Sequence, residues 1–286
     1  MKRALGTTLV IVSAVSFGSL PILGQFAYRS GMDAPTMLFL RFFIAALLML
    51  LWMGFRKISL PIGRNFLQLV GMGALGYVGQ SLCYLSAIQY ASTGLVALLL
   101  YLYPVIVSIL SVLFLKARVT PRKLVALVLA TLGATLTVDP HGGQIAGILL
   151  AVAAAIIYSF YIILGAGIMQ KVTAVQSSAV IFSSAALVFG IISGLKGPHW
   201  PNNTIGYGVV LAIALFSTVL PVATFLTGLK IIGPTDASLL STLEPVITVS
   251  LAVLFLGERI QPIFLLGGLL ILVAVLLTVN QKSSFA

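Results

Sequence analysis

Five carboxylates, Asp33, Asp139, Asp236, Glu244 and Glu258, are all the acidic side chains in this chain of 286 residues, and four of them stand at the ends of long apolar runs. Glu244 is the exception. Counted from Asp236, it falls eight residues into its run. That is about 12 Å at 1.5 Å per residue, near the middle of a hydrocarbon core about 30 Å thick if the run crosses a membrane. A charge at that depth costs roughly 2.5 to 3.5 kcal/mol. Three roles are open to Glu244: carrying a proton, pairing with Arg41 in another run, or binding a substrate amine. Other polar side chains share its setting. Tyr77, Gln80, Ser81 and Tyr84 recur at i, i+3, i+4 and i+7, one face of a helix. Ser241, Glu244 and Thr248 form a second stripe, and Ser19, Tyr101, Tyr103, Tyr158 and Tyr161 come from further runs. Polar groups inside a membrane turn toward the bundle interior or water, so these residues are expected to line a cavity for a small molecule. The competing role is helix packing, which also favours Ser, Thr and Gly. Gly71, Gly73, Gly76 and Gly79 fit that packing role better than a binding one.

The same inventory argues against catalysis. His141 and His199 lie far apart in connectors, and the sequence has no HExxH, no paired cysteines and no P-loop. No cofactor or metal is expected, and without a P-loop any transport must run on gradients. The lone Cys83 lies in an apolar run, so there is no disulfide framework.

The elements that must position these side chains follow from composition. The chain is 60% hydrophobic and 7% charged, against about 25% charged for a soluble domain, so an integral membrane protein in a lipid bilayer is expected. The formal charge of +11 is scattered over short connectors. It forms no basic stripe with interleaved aromatics, and nucleic acid is not an expected partner. Runs long enough to span divide the chain into ten segments at about 5–28, 34–53, 66–88, 93–115, 122–138, 145–169, 174–194, 206–228, 236–256 and 262–280. Pro21, Pro104, Pro221 and Pro245 fall inside these spans and are expected to kink them.

The chain repeats itself. LYPVIVSILSVLFLKARVTP at 102–121 returns as LEPVITVSLAVLFLGERIQP at 243–262, an offset of 141 (245 − 104 = 141 for the prolines). The same shift pairs Gly6 with Gly147, Gly24 with Gly165, and Leu136-Thr137-Val138 with Leu277-Thr278-Val279. Residues 1–141 and 142–286 are thus expected to be two five-helix repeats, and an odd span number makes the second enter from the opposite face. Basic residues support this inversion, since cytoplasmic connectors carry the Lys and Arg excess. With the amino terminus inside, Lys2, Arg3, Arg56, Lys57, Arg64, Lys116, Arg118, Arg122, Lys123, Lys171, Lys230 and Lys282 are cytoplasmic, whereas Arg29, Lys196 and Arg259 are outside.

Arg41 followed by Ala45 and Ala46, the LEPV…LFLGER phrase and the Gly-rich last span resemble the EamA-type transporters of the drug/metabolite transporter superfamily. The first half departs from the phrase, reading Lys116-Ala117-Arg118 where the second reads Gly257-Glu258-Arg259. The resemblance implies an all-α membrane protein of ten helices, as two inverted repeats around a central cavity, usually serving export. The expected protein is a gradient-driven inner-membrane carrier of a bacterium, both termini cytoplasmic, exporting small amphipathic metabolites such as amino acids. The alternative is an importer of a vitamin or nucleoside-like metabolite on the same fold. Reporter fusions after Lys57 and Lys171 are predicted to be cytoplasmic, and fusions at 142–144 or Asn202 periplasmic. Finding Lys57 and its repeat mate Pro198 on one side would contradict the inversion.

Overall fold

The computed structural model describes residues 2–87, 89–91, 93–117, 119–136, 144–257 and 262–279. Asp139, His141 and the fusion positions 142–143, together with Thr137, Val138, Arg118, Glu258, Arg259 and Lys282, lie outside the described residues, among which there is no β-strand. The helices are α1 Lys2–Gly18, α2 Leu20–Arg29, α3 Ala34–Phe55, α4 Arg64–Gly71, α5 Val78–Ala87, α6 Thr93–Leu100, α7 Tyr103–Leu115 and α8 Pro121–Leu136 in the first half. The second half holds α9 Ile145–Ile168, α10 Ala174–Lys196, α11 Thr204–Ala214, α12 Leu220–Ile232, α13 Pro234–Ser241, α14 Glu244–Leu256 and α15 Pro262–Val279. Two π-helical segments, π1 Met72–Tyr77 and π2 Leu215–Val219, join α4 to α5 and α11 to α12.

Seven helical runs among the described residues are long and apolar enough to cross a membrane: Lys2–Arg29, Ala34–Phe55, Arg64–Ala87, Ile145–Ile168, Ala174–Lys196, Thr204–Ile232 and Pro234–Leu256. Tyr103–Leu115 and Leu265–Thr278 are shorter apolar helices. The offset of 141 is written into the helix boundaries: α6 and α13, α7 and α14, and α8 and α15 begin at mated positions, and π1 overlaps π2 under the same shift.

Pro21, Pro104, Pro221 and Pro245 each stand second in a helical segment that follows an interruption. A proline lacks the N–H that would bond the carbonyl four residues back, and its ring crowds that carbonyl. The chain ahead of Pro245 therefore tightens, with Thr242 and Leu243 donating to the carbonyls of Leu239 and Leu240, three residues back. Each of the spans 93–115 and 236–256, inside which a proline kink is expected, is two helical segments around a turn at 101–102 or 242–243.

Mated helices meet across the halves. Thr36 near the start of α3 bonds Ser193 near the end of α10 at 3.0 Å, and Phe42 stacks on Phe189 at 5.8 Å, so these mates run antiparallel. The α8 and α15 mates also run antiparallel, because Gly133 late in α8 lies against Gly267 early in α15. Small residues permit such approaches: a Cβ on Gly6 would come within 2.8 Å of Ile231, and close backbone contact is how membrane helices gain dispersion energy. Gly73 serves in this way against α10, whereas Gly71 has nothing within 4 Å and is not a packing glycine.

Asp236 stands at the end of its span, the third residue of α13, and is buried there, 2% exposed. It pairs with Lys123 of α8 and, at 3.2 Å, with Arg3 of α1, which also donates to the Thr278 carbonyl of α15 at 3.0 Å. Four helices are thus tied together at the end of the bundle where α1 begins. The mated positions, Leu95, Phe264 and Gln144, carry no charge. Removing the acid of a buried ionic cluster costs about 3 to 5 kcal/mol. Asp236→Ala is accordingly predicted to lower the melting temperature of the detergent-solubilised protein well below that of an exposed control such as Lys171→Ala. Equal melting temperatures would show that the cluster contributes no stability.

Candidate functional site

A cavity of about 410 Å³ lies between the repeats, within the range of small-molecule sites. It is walled by α3 through Met37, Leu38 and Arg41, by π1 and α5 through Tyr77, Gln80, Ser81, Tyr84 and Leu85, and by the interrupted first span through Phe17, Leu20 and Pro21. The α6–α7 region adds Ala97, Leu100, Tyr101 and Tyr103, α9 adds Tyr158, and α14 adds Glu244, Pro245, Thr248 and Val249. The helix breaks bring Tyr103 and Glu244 to the wall, since each is the first residue of its segment, at mated positions.

Arg41 is 4% exposed and is held by both π segments. Its Nε donates to Thr218 Oγ1 at 2.7 Å, and its Nη2 donates to the Ser217 carbonyl and to Tyr77 Oη, each at 3.2 Å. A π segment disturbs the regular carbonyl ladder and is frequent at functional sites. Here it turns Ser217 and Thr218 toward the guanidinium. Tyr77 and Thr218 are themselves repeat mates, so Arg41 is gripped by equivalent positions of the two halves. The guanidinium carbon also lies 4.9 Å from the Phe42 ring centroid, a cation–π arrangement that strengthens where water is excluded.

Behind the cavity wall the rings interlock edge to face, Phe42 to Tyr77 at 5.0 Å, Tyr77 to Tyr161 at 5.7 Å and Tyr103 to Tyr158 at 4.9 Å. Thr248 Oγ1 donates to the Gly18 carbonyl at 3.0 Å, where α1 ends. Gly18 allows that approach, because a Cβ there would lie 2.9 Å from Ile247.

Nine of the twelve residues assigned to a cavity from sequence border this one: Tyr77, Gln80, Ser81, Tyr84, Tyr101, Tyr103, Tyr158, Glu244 and Thr248. Three do not, and their placement is corrected. Ser19 turns to Ser217 at 2.8 Å, Tyr161 is buried as the ring behind Tyr77 and Tyr158, and Ser241 bonds the Ala237 carbonyl one turn back. The Arg41–Glu244 pair is not formed, since no cationic nitrogen lies within 4.0 Å of the Glu244 carboxylate among the described residues. Of the four prolines, Pro21 and Pro245 border the cavity. Sequence reasoning missed Ser217 and Thr218, although the offset that mates Thr218 with Tyr77 was available to find them.

Thr218→Val removes the Nε acceptor while keeping the shape. Leaving a buried donor unmet costs about 1 to 3 kcal/mol, so this variant is predicted to unfold at lower temperature than Thr218→Ser, which keeps the hydroxyl. Equal stability of the two would mean that Arg41 does not depend on this bond.

The EamA-like transporter family matches residues 4–139 and again residues 145–280. An uncharacterized transporter of Archaeoglobus fulgidus is 28% identical over 276 residues, covering 95% of each chain. The threonine/homoserine exporter RhtA of Escherichia coli is 31% identical over 227 residues, covering 75% of this chain and 71% of its own. A crystal structure superposes with a TM-score of 0.82 at 20% identity over 96% of both chains, a likeness of fold. With both halves matched and transporters recurring among the relatives, this chain belongs to the EamA-like transporter family and is a membrane transporter.

Proposed function

We propose that this transporter exports small amphipathic metabolites, amino acids among them, by gradient-driven alternating access, and that the cavity between the repeats is the substrate site. The observation that carries the reading is the cavity's lining, an aromatic and hydroxyl-rich wall with one cationic and one acidic side chain. Such a lining favours ligands that stack and hydrogen-bond over multiply charged ones. The amino-acid part is supported by the name of the Escherichia coli relative. The architecture behind it is ten spans in two inverted repeats, residues 1–141 and 142–286, with both termini on the cytoplasmic side of a bacterial inner membrane. The antiparallel contacts of α3 with α10 and of α8 with α15 support the inversion. The basic connectors support the orientation. Two near-equivalent packings of opposite orientation give such a repeat pair its inward-open and outward-open states.

Counterflow in proteoliposomes tests the reading, with unlabelled amino acids, sugars, nucleosides or dyes trapped inside and the labelled compound outside. Transient accumulation is expected for amino acids. Its absence for amino acids, with accumulation of a nucleoside or vitamin, would overturn the substrate class. Gln80→Ala is predicted to raise the apparent KM about tenfold, the equivalent of one hydrogen bond to a ligand. Its melting temperature should stay near wild type, because a cavity-facing amide already meets water. Aggregation of Gln80→Ala together with normal transport by Tyr77→Ala would assign the stripe to packing.

A further inference from the structure

Arg41 and Glu244 face one cavity without meeting. Nε and Nη2 of Arg41 are committed to Thr218, Ser217 and Tyr77, whereas Nη1 has no hydrogen-bond partner and is not among the sealed, unsatisfied nitrogens. It is left to a cavity occupant. The Glu244 carboxylate likewise accepts no hydrogen bond from the described residues, and both residues line the cavity. Neither charge is inherited from the repeat: the mate of Arg41 is Phe182, and the mate of Glu244 is Tyr103. The two departures from symmetry therefore converge on one cavity with opposite signs.

A charge without an opposite partner inside a low-dielectric bundle is costly even where it borders a cavity that admits water, and a ligand with a single charge relieves only one of the two. A ligand with a negative and a positive end relieves both. We propose that Arg41 and Glu244 recognise the two ends of a zwitterion, Arg41 Nη1 binding its carboxylate and Glu244 its ammonium, while Tyr84, Tyr101 and Tyr158 receive its side chain. Two charge-assisted hydrogen bonds of about 2.8 Å in series with the roughly 3 Å between the charged ends of an α-amino acid span about 8 to 9 Å. That length exceeds direct ion-pair contact, in keeping with the absence of an ion pair between the two side chains. The proposal rests on the reading of this cavity as the substrate site and narrows its ligand to molecules with both an amine and a carboxylate.

The test uses the full-length protein in proteoliposomes. Counterflow of labelled L-phenylalanine and L-threonine is competed with L-phenylalanine, with phenethylamine, which lacks the carboxylate, and with 3-phenylpropionate, which lacks the amine. The amine and the acid are expected to compete about thirtyfold or more weakly than the amino acid, each leaving one charge unanswered. Glu244→Gln is expected to weaken amino-acid exchange and to narrow the gap between phenylalanine and 3-phenylpropionate. Competition by either single-charge analogue equal to that of phenylalanine overturns the proposal while leaving the carrier reading intact, and this arm needs no variant. Full exchange by Glu244→Gln with loss of gradient-driven accumulation alone also overturns it, assigning Glu244 to proton coupling. Absence of any amino-acid counterflow overturns both the proposal and the reading beneath it.

Discussion

A guanidinium inside a bilayer-spanning bundle must be given acceptors by the protein, because the surrounding lipid offers none. Arg41 receives them from the Ser217 carbonyl, the Thr218 hydroxyl and the Tyr77 hydroxyl, all within 3.2 Å. Regular helices would keep their carbonyls in their own ladders. The two π segments relax that demand at mated places in the two repeats, and the arginine of α3 is inserted between them. Much else follows from this one insertion. It pins α3 to both halves, fixes the Phe42–Tyr77 edge contact, and sets the floor from which the tyrosine wall rises.

Upon a nearly symmetric frame the side chains are sharply unsymmetric. Gln80, Ser81 and Tyr84 line the cavity, whereas their mates Pro221, Val222 and Phe225 are apolar and Val222 and Phe225 are buried in the core. The ionic cluster of Arg3, Lys123 and Asp236 belongs to the opposite end of the bundle. Arg3 and the cavity residue Phe17 lie fourteen residues apart on α1, about 21 Å along a helix. The polar cavity and the ionic cluster thus occupy different levels of the bundle.

Much of this frame was legible in the sequence, because an offset of 141 and the placement of four prolines are one-dimensional facts that map directly onto helix starts. The Tyr77, Gln80, Ser81, Tyr84 stripe was legible for the same reason, since its spacing lies within π1 and the helix that continues it. What escaped the sequence depends on direction across an interruption. Tyr161, Ser19 and Ser241 each lie within three residues of one that lines the cavity, yet their side chains point into helix contacts. Position along a chain does not fix rotation once a helix is broken. Asp236 and Lys123 read as charges at span ends, and what the sequence does not show is that the two meet there and are buried against each other. The role of Thr218 depended on a π turn that no residue pattern announces.

The central claim is that both charges of the cavity act on one bound molecule. Its most direct test is a cryo-EM structure of the protein saturated with a transported amino acid. The account predicts ligand density spanning the cavity, with the carboxylate within hydrogen-bond distance of Arg41 Nη1 and the amine within reach of the Glu244 carboxylate. Density outside this cavity, or a ligand that touches neither charge, would contradict it.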